Sequence, residues 1–474
     1  MKLYLAVDLG TTGCRSIIFD DKLNQISSAY EEYSLIIDKE GFAEQDADLW
    51  WELTLRTAIS AISASNVPKS EIRGISVSSQ GISIVPVDEN CNPLCNSISW
   101  LDIRATKEAK QFERDFGENE IISLTGKPCS EVYTLPKLLW LKNNKPEIYK
   151  KAYKFLMPLD FLTAKFTGEY ITDHSMASGT AMYDLKNARW CQEILDFYSI
   201  DIKKLPNISY TGEKAGVILP EIREKLGLRE DCVFAVGAQD QKSAAYGVGL
   251  DEDSITISLG TAAAVTKCSR NIESNRMKNV TWCGYTNSGV WVAEGVVSTA
   301  GTCLRWIRDT FYKGEDYSII NSEAEKALKN GTSLMFFPFM NGGADGEQGT
   351  FYSVDLSKTR GDFALAVMEG VAFEIRTLLE NINAYERKRK IILFGGAARS
   401  ELWCRIISNI TKMDVLIPIT EEAASAGAAR AAAKAMGTDI SPLLCNKSYK
   451  PNKDYEEKYE KYKEIRTKLW RNLL

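Results

Sequence analysis

Leu3-Tyr-Leu-Ala-Val-Asp8-Leu-Gly-Thr-Thr-Gly13 is a short apolar run that stops on a glycine–threonine turn, and Ser16-Ile-Ile-Phe19 resumes the run beyond it. That order predicts strand, turn, strand. Ser254-Ile-Thr-Ile-Ser-Leu-Gly-Thr261 follows the same plan. In both places a β run ends at Leu-Gly-Thr, small residues and a second apolar run follow, and the two glycines, Gly10 and Gly260, stand 250 positions apart. Two such elements so widely separated predict two related halves rather than an array of short repeats.

The rest of the chain alternates strand and helix signals. A helix is expected from Asp46 to Ser63, capped by Asp46 or Asp48, with Leu49, Leu53 and Ala58 on its apolar side. Ile72 to Ser79 and Ser83 to Val87 read as strands, Phe234 to Asp240 reads as strand then turn, and helices dominate from Ala105 to Asn144. Ile391-Ile-Leu-Phe-Gly-Gly396 is a strand that stops at glycines, and an Ala/Gly-rich helix is expected over Ala423 to Met436. The Glu, Lys and Tyr residues from Asp454 to Leu474 read as one surface helix. The resulting expectation is an α/β fold with largely parallel sheets, divided into 1–246, 247–437 and a helical tail over 438–474.

Composition removes several function classes. Of 474 residues, 45% are hydrophobic and 26% charged, which is ordinary globular usage. Lys and Arg total 58 against 63 Asp and Glu, so no basic excess points to a nucleic-acid partner. No apolar run is long enough to span a membrane, and the opening residues carry no secretory h-region. Eleven scattered cysteines, with Cys91 and Cys95 lacking a second pair, read as free thiols, and a cytoplasmic location is expected. His174 is the single histidine. Unless His174 itself serves, a His-based nucleophile triad is out, and a multi-histidine metal site is impossible in one chain. Any acid–base chemistry then falls to carboxylates.

A strand–Gly/Thr turn aims backbone N–H groups and hydroxyls at one point, which suits phosphate. Gly10-Thr11-Thr12-Gly13, Gly260-Thr261 and Gly395-Gly396 are three candidates, each of which alone is more often an ordinary turn. Neither a P-loop nor a strand-terminal Gly-x-Gly-x-x-Gly is present.

Jointly, these segments resemble the FGGY family of carbohydrate kinases, in particular its xylulokinase-like branch. The resemblance is carried by Asp8 to Arg15, Glu44-Gln45-Asp46, Trp100-Leu-Asp-Ile-Arg104, Gly126 to Trp140 and Gly237-Ala-Gln-Asp240-Gln241. It continues through Ser258 to Thr261, Phe336 to Phe339, Glu369 to Ala372, Gly395 to Ser400 and Glu422 to Ala429. It implies duplicated ribonuclease H-like domains of the actin/hexokinase type around a cleft, with ATP and Mg2+ as cofactors. Residue by residue, it implies Asp8 as the magnesium holder and Asp240 as catalytic base. Gly10, Thr11, Thr12 and Arg15 would contact phosphate; Gly260, Thr261, Gly301, Gly396, Ala397 and Ser400 would surround the nucleotide. Gln80, Gly81, Trp100, Asp102 and Asp240 are the expected sugar-site residues.

Each role has a plainer counterpart. Asp240 would also serve as a helix N-cap. Trp100, Asp102 and Arg104 fit either an Asp–Arg ion pair beside a core Trp or a sugar-site wall, and Glu44 fits a surface pair better than a sugar contact. Gly81-Ile82 after Gln80 departs from both the Arg-Glu of the glycerol-kinase branch and the Met-His of xylulokinases, and the stretch from Met340 to Phe351 is short and acidic. The expected substrate is a ketopentose such as xylulose; gluconate, ribulose or another ketose or polyol is the alternative, and a sugar-independent ATPase is the alternative of another class. The expected partners are a small sugar and neither nucleic acid nor membrane, with a homodimer left open.

Overall fold

The computed structural model describes residues 2–38, 42–272, 280–343 and 346–470. Strand β1 (Leu3–Leu9) turns back antiparallel into β2 (Gly13–Phe19), and β3 (Gln25–Glu32) extends the meander. Alternation decides what each face of β1 meets. Leu3, Leu5, Val7 and Leu9 enter the main core, whereas Tyr4 and Ala6 enter a second apolar cluster with Ile17 and Phe19 of β2. Helix α1 (Ala47–Ala64) covers β2 and β3, and Asp46 caps it by accepting from the N–H groups of Asp48 and Leu49. Its buried face includes Leu53 and Ala58, but Trp50 is fully buried there while Leu49 is only half-buried.

Beyond a parallel strand β4 (Ile72–Ser79), a largely helical insertion leads to β5 (Lys214–Val217) and β6 (Val233–Gln239). The first sheet has the order β5-β6-β4-β1-β2-β3, with β1, β4 and β6 parallel. Helix α2 (Asp240–Gly247) follows β6 directly.

The second half repeats this core. Strands β7 (Ser254–Leu259) and β8 (Ala263–Ser269) form an antiparallel hairpin, followed by β9 (Val280–Gly284) and β10 (Trp291–Val297). Helices α3 (Gly301–Phe311), α4 (Tyr317–Asn330) and α5 (Arg360–Asn381) precede β11 (Lys390–Phe394), which lies parallel to β7. After α6 (Glu401–Thr411), β12 (Val415–Pro418) and α7 (Ala423–Ala435), the strand β13 (Cys445–Tyr449) closes a sheet of order β9-β10-β8-β7-β11-β12-β13. In both halves an antiparallel meander joins parallel strands through its first member, so the echo of the two Leu-Gly-Thr turns is a duplication of fold.

The segment 438–474, expected as a helical tail on the surface, behaves otherwise. Its strand β13 pairs with β12, and its helix α8 (Glu456–Trp470) buries Tyr459, Tyr462, Ile465 and Trp470. Tyr462 stacks on Phe337 with ring centroids 4.6 Å apart. Tyrosines three residues apart share one helix face, and that face is apolar enough to dock. All eleven cysteines are free. No helix among the described residues is long and apolar enough to cross a membrane.

Helix α7 belongs by sequence to the second half but packs on the first. Ala426, Ala429, Ala432 and Ala433 share a cluster with Tyr4, Ala6, Ile17 and Phe19 of the first sheet and with Ile392 and Phe394 of β11. It crosses α2 with main chain against main chain: a Cβ on Gly427 would lie 1.9 Å from the Ser243 carbonyl oxygen, and one on Gly247 would lie 2.1 Å from that of Ala423. Backbone cannot rotate away as a side chain can, so even one methyl group overpacks this crossing. Gly427→Ala is therefore expected to destabilise the fold by about 1–3 kcal/mol. Gly260→Ala, whose Cβ meets nothing within 4 Å, should melt like the wild type. Thermal unfolding of the two variants checks the contrast.

Candidate active site

The parallel register of β1, β4 and β6 brings three polar side chains to one end of the first sheet. Asp8 pairs in register with Ser78, and Gln239 with Ser79, so Asp8, Gln80 and Asp240 gather at the carboxyl ends of adjacent strands. Ligands of open α/β sheets bind in that kind of crevice. Burial pushes the Asp8 carboxyl up to about 6, and its Oδ1 is buried without a partner among the described residues. Burial, and then the charge of Asp8, push Asp240 up to about 7, against the opposing pull of the Gln241 N–H and Lys242. Asp240 Oδ1 accepts from the Gln241 N–H at 2.6 Å and from Gln239 Nε2. Gln239 holds the N-cap position and Asp240 is the first residue of α2, so Asp240 is not the cap that the plainer reading expected; its carboxyl stands near the charge of Asp8.

Gln80 is 1% exposed. Its Nε2 donates to Tyr33 Oη at 3.2 Å and to Gln45 Oε1 at 3.0 Å, which leaves Oε1 as a buried acceptor with no partner among the described residues. Gly81 lies against Gln239, whose Cγ would be 3.2 Å from a Cβ at position 81. In the first turn the Gly10 N–H donates to the Gly13 carbonyl at 2.9 Å, Thr11 Oγ1 accepts from the Trp100 indole at 3.1 Å, and Thr12 is exposed. Arg15, opposite Asp8 in register, pairs with Glu422 at the start of α7 and lies 4.9 Å from the centre of the Tyr30 ring.

Of the two readings of the Trp100–Arg104 element, the ion pair is the one displayed. Asp102 is fully buried, and its oxygens accept from the Ala43 N–H at 2.6 Å, from the Arg104 N–H at 2.9 Å, and from two guanidinium nitrogens of Arg104 at 2.8 Å each. Protein donors saturate the carboxylate, so Asp102 braces the wall that carries Trp100. Glu44 joins the brace through Arg104 at 2.9 Å, as the pairing expectation had it.

In the second half, Gly260, Thr261, Gly301, Gly396, Ala397 and Ser400 all line one cleft of about 690 Å³. Asp8, Thr11, Thr12 and Arg15 lie outside it, on the hairpin of the first half. Sequence reasoning missed other residues of its lining. Leu304, Arg305 and Arg308 continue the face of α3 that begins at Gly301, a helical spacing that was available to be read. Asn321 of α4 reaches the same cleft and accepts from Ser400 Oγ at 2.8 Å. Also unforeseen is a buried ion pair between the halves, Lys242 Nζ to Glu294 Oε2 at 2.7 Å.

Family models for the N-terminal and C-terminal domains of FGGY carbohydrate kinases match residues 3–247 and 255–436. The chain belongs to the FGGY family of carbohydrate kinases. It is therefore a phosphotransferase acting on a sugar hydroxyl. The kinase is similar to a xylulose kinase of Lactococcus lactis, with 28% identity covering 100% of this chain and 97% of that protein. It is similar to a gluconokinase of Bacillus subtilis, with 27% identity covering 90% and 86%. The structure of a ligand-bound xylulose kinase from Lactobacillus acidophilus superposes with a TM-score of 0.91 at 25% identity, covering 100% of both chains. The single histidine of the kinase has no place in this chemistry. His174 is 5% exposed, stacks on Tyr210 at 4.0 Å and shares a 2.7 Å hydrogen bond with Tyr183, and burial pushes its imidazole down to about 4.

The raised carboxyl of Asp240 has a measurable consequence. The native state holds that proton in a range where the unfolded chain, titrating near 3.9, has lost it. Its contribution to stability is complete below the unfolded value and is lost as pH rises through about 7. Asp240→Asn should therefore raise the Tm relative to wild type at pH 8, by about 2–4 °C, and the gap should close towards pH 4. A Tm difference that is equal at both ends of that range contradicts the assignment.

Proposed function

We propose that the chain transfers the γ-phosphate of ATP to a hydroxyl of a neutral ketopentose such as xylulose, in the cytoplasm, with Asp240 as the base. The observation that carries this reading is the gathering of Asp240, Asp8 and the orphaned Gln80 acceptor at the ends of three adjacent strands. A sugar hydroxyl is too weak an acid to ionise freely, so a carboxylate within hydrogen-bond reach takes its proton as the oxygen attacks phosphorus. A group poised near 7 is ionised at working pH and still basic enough for that task. Gln80 and Trp100 face the sugar, and Gly81 leaves room for it. Gly10, Thr11, Thr12 and Arg15 receive the transferred phosphoryl end. Gly260, Thr261, Gly301, Gly396, Ala397 and Ser400 hold the remainder of the nucleotide in the second-half cleft.

Asp8 fits a hydrated magnesium ion, because its buried Oδ1 has no donor of its own among the described residues. When bound, the metal neutralises charge on the phosphoryl group. Arg15 is held by Glu422 and must exchange that carboxylate for phosphate, which links nucleotide entry to the start of α7. The similarity to gluconokinases supports a sugar acid as second reading. The pocket favours the neutral sugar, since the spare group of Gln80 is an acceptor suited to hydroxyl donors.

ATP consumption measured across a panel of ketoses, polyols and sugar acids tests the reading. Turnover should depend on sugar, be greatest with a ketopentose and stop with EDTA. Sugar-independent hydrolysis would place the chain among plain ATPases, and a preference for gluconate would reverse the choice of acceptor. Asp240→Asn should lower kcat by about 10²–10⁴-fold. Gly81→Leu, which pushes Gln239 aside, should weaken sugar binding by calorimetry and leave ATP binding without sugar unchanged.

A further inference from the structure

Gln239 ends β6 one residue before Asp240, and its stem is held on two sides. The main-chain N–H donates to Ser175 Oγ at 3.0 Å, and the Cγ packs on Gly81. One branch of the side-chain amide, Nε2, donates to Asp240 Oδ1. The other branch, Oε1, is buried and has no partner among the described residues. A buried amide oxygen without a donor is unfavourable, and water or protein nearly always supplies one. Because the amide is planar and its nitrogen is fixed on the base, its oxygen is presented beside the base and nowhere else.

We propose that Gln239 reads a second hydroxyl of the acceptor, the one on the carbon next to the phosphorylated position, so that the enzyme requires a vicinal diol. The inference rests on Asp240 being the base. One hydroxyl of the diol donates to Asp240 and is phosphorylated; its neighbour donates to Gln239 Oε1. The geometry suits a diol and not a carboxylate, because Gln239 Oε1, Gln80 Oε1 and Asp240 are all acceptors. A site built around a hydrogen bond to a hydroxyl discriminates strongly against the analogue that lacks it, since the buried acceptor is then left bare.

The test compares wild type and Gln239→Met on D-xylulose and its single-deoxy analogues, with kcat/KM as the readout and thermal melting as a check on folding. In wild type, the analogue lacking the hydroxyl next to the acceptor position should lose at least about 10²-fold. Gln239→Met should slow D-xylulose by a similar factor and leave that one analogue unchanged, because the partner of the missing hydroxyl is already gone. An equal loss on D-xylulose and on every analogue would reduce Gln239 to a structural residue and overturn the proposal. The wild-type arm decides independently if the variant does not fold: equal kcat/KM for all analogues that keep the acceptor hydroxyl overturns it as well. A wild type that phosphorylates no sugar overturns the kinase reading of the site instead, and the diol requirement with it.

Discussion

Main chain meets main chain where α2 crosses α7, and the working parts of the protein hang on that contact. Helix α2 begins with Asp240; α7 begins just after Glu422, which holds Arg15 of the first turn. Fixing two helices backbone to backbone fixes Asp240 and Arg15, the proposed base and phosphate contact, relative to one another. At the two contact points only glycine permits so close an approach, and the alanines around them keep the rest of α7 narrow. Small residues bury little apolar area each, but they place rigid elements within reach of both sheets.

The elements that were legible in the sequence share a property: their signal is local. The two Leu-Gly-Thr hairpins, the capped helix at Asp46 and the glycine-terminated strand at Phe394 each show in a few consecutive residues. The cleft-lining face of α3 was also written locally, as Gly301, Leu304, Arg305 and Arg308, but a helical face has meaning only once something is known to lie opposite it. Helix α8 was misjudged because its charged residues outnumber the tyrosines that dock it. Asp102 was ambiguous for a different reason. An Asp two residues before an Arg has the same spelling whether the pair is exposed or saturated, and burial alone decides. Lys242 and Glu294 were beyond reach, because nothing in either segment announces the other.

The site is also where the chain departs from what stability alone would choose. Two carboxyl groups, Asp8 and Asp240, are raised by burial, Asp240 further by the charge of Asp8, and the amide oxygens of Gln80 and Gln239 are buried without donors among the described residues. By contrast, the Lys242–Glu294 bridge is paired and Asp102 is saturated by protein donors. Such departures are expected where binding, and not folding, completes the hydrogen-bond set.

His174 gives the molecule something unrelated to catalysis. Its short helix (His174–Ser178) belongs to the first half and abuts β9 of the second: a Cβ on Gly284 would lie 2.8 Å from that of His174, and the Gly284 N–H donates to Ser178 Oγ at 2.8 Å. The imidazole is thus placed on the seam between the halves, under the ring of Tyr210, and it stays uncharged through the physiological range. Being the only one in the chain, it gives a single set of imidazole signals, with no second histidine to be confused with. Because the Gly284 main chain of the second half packs against its Cβ, that one set of signals reports how closely the two halves meet at the seam.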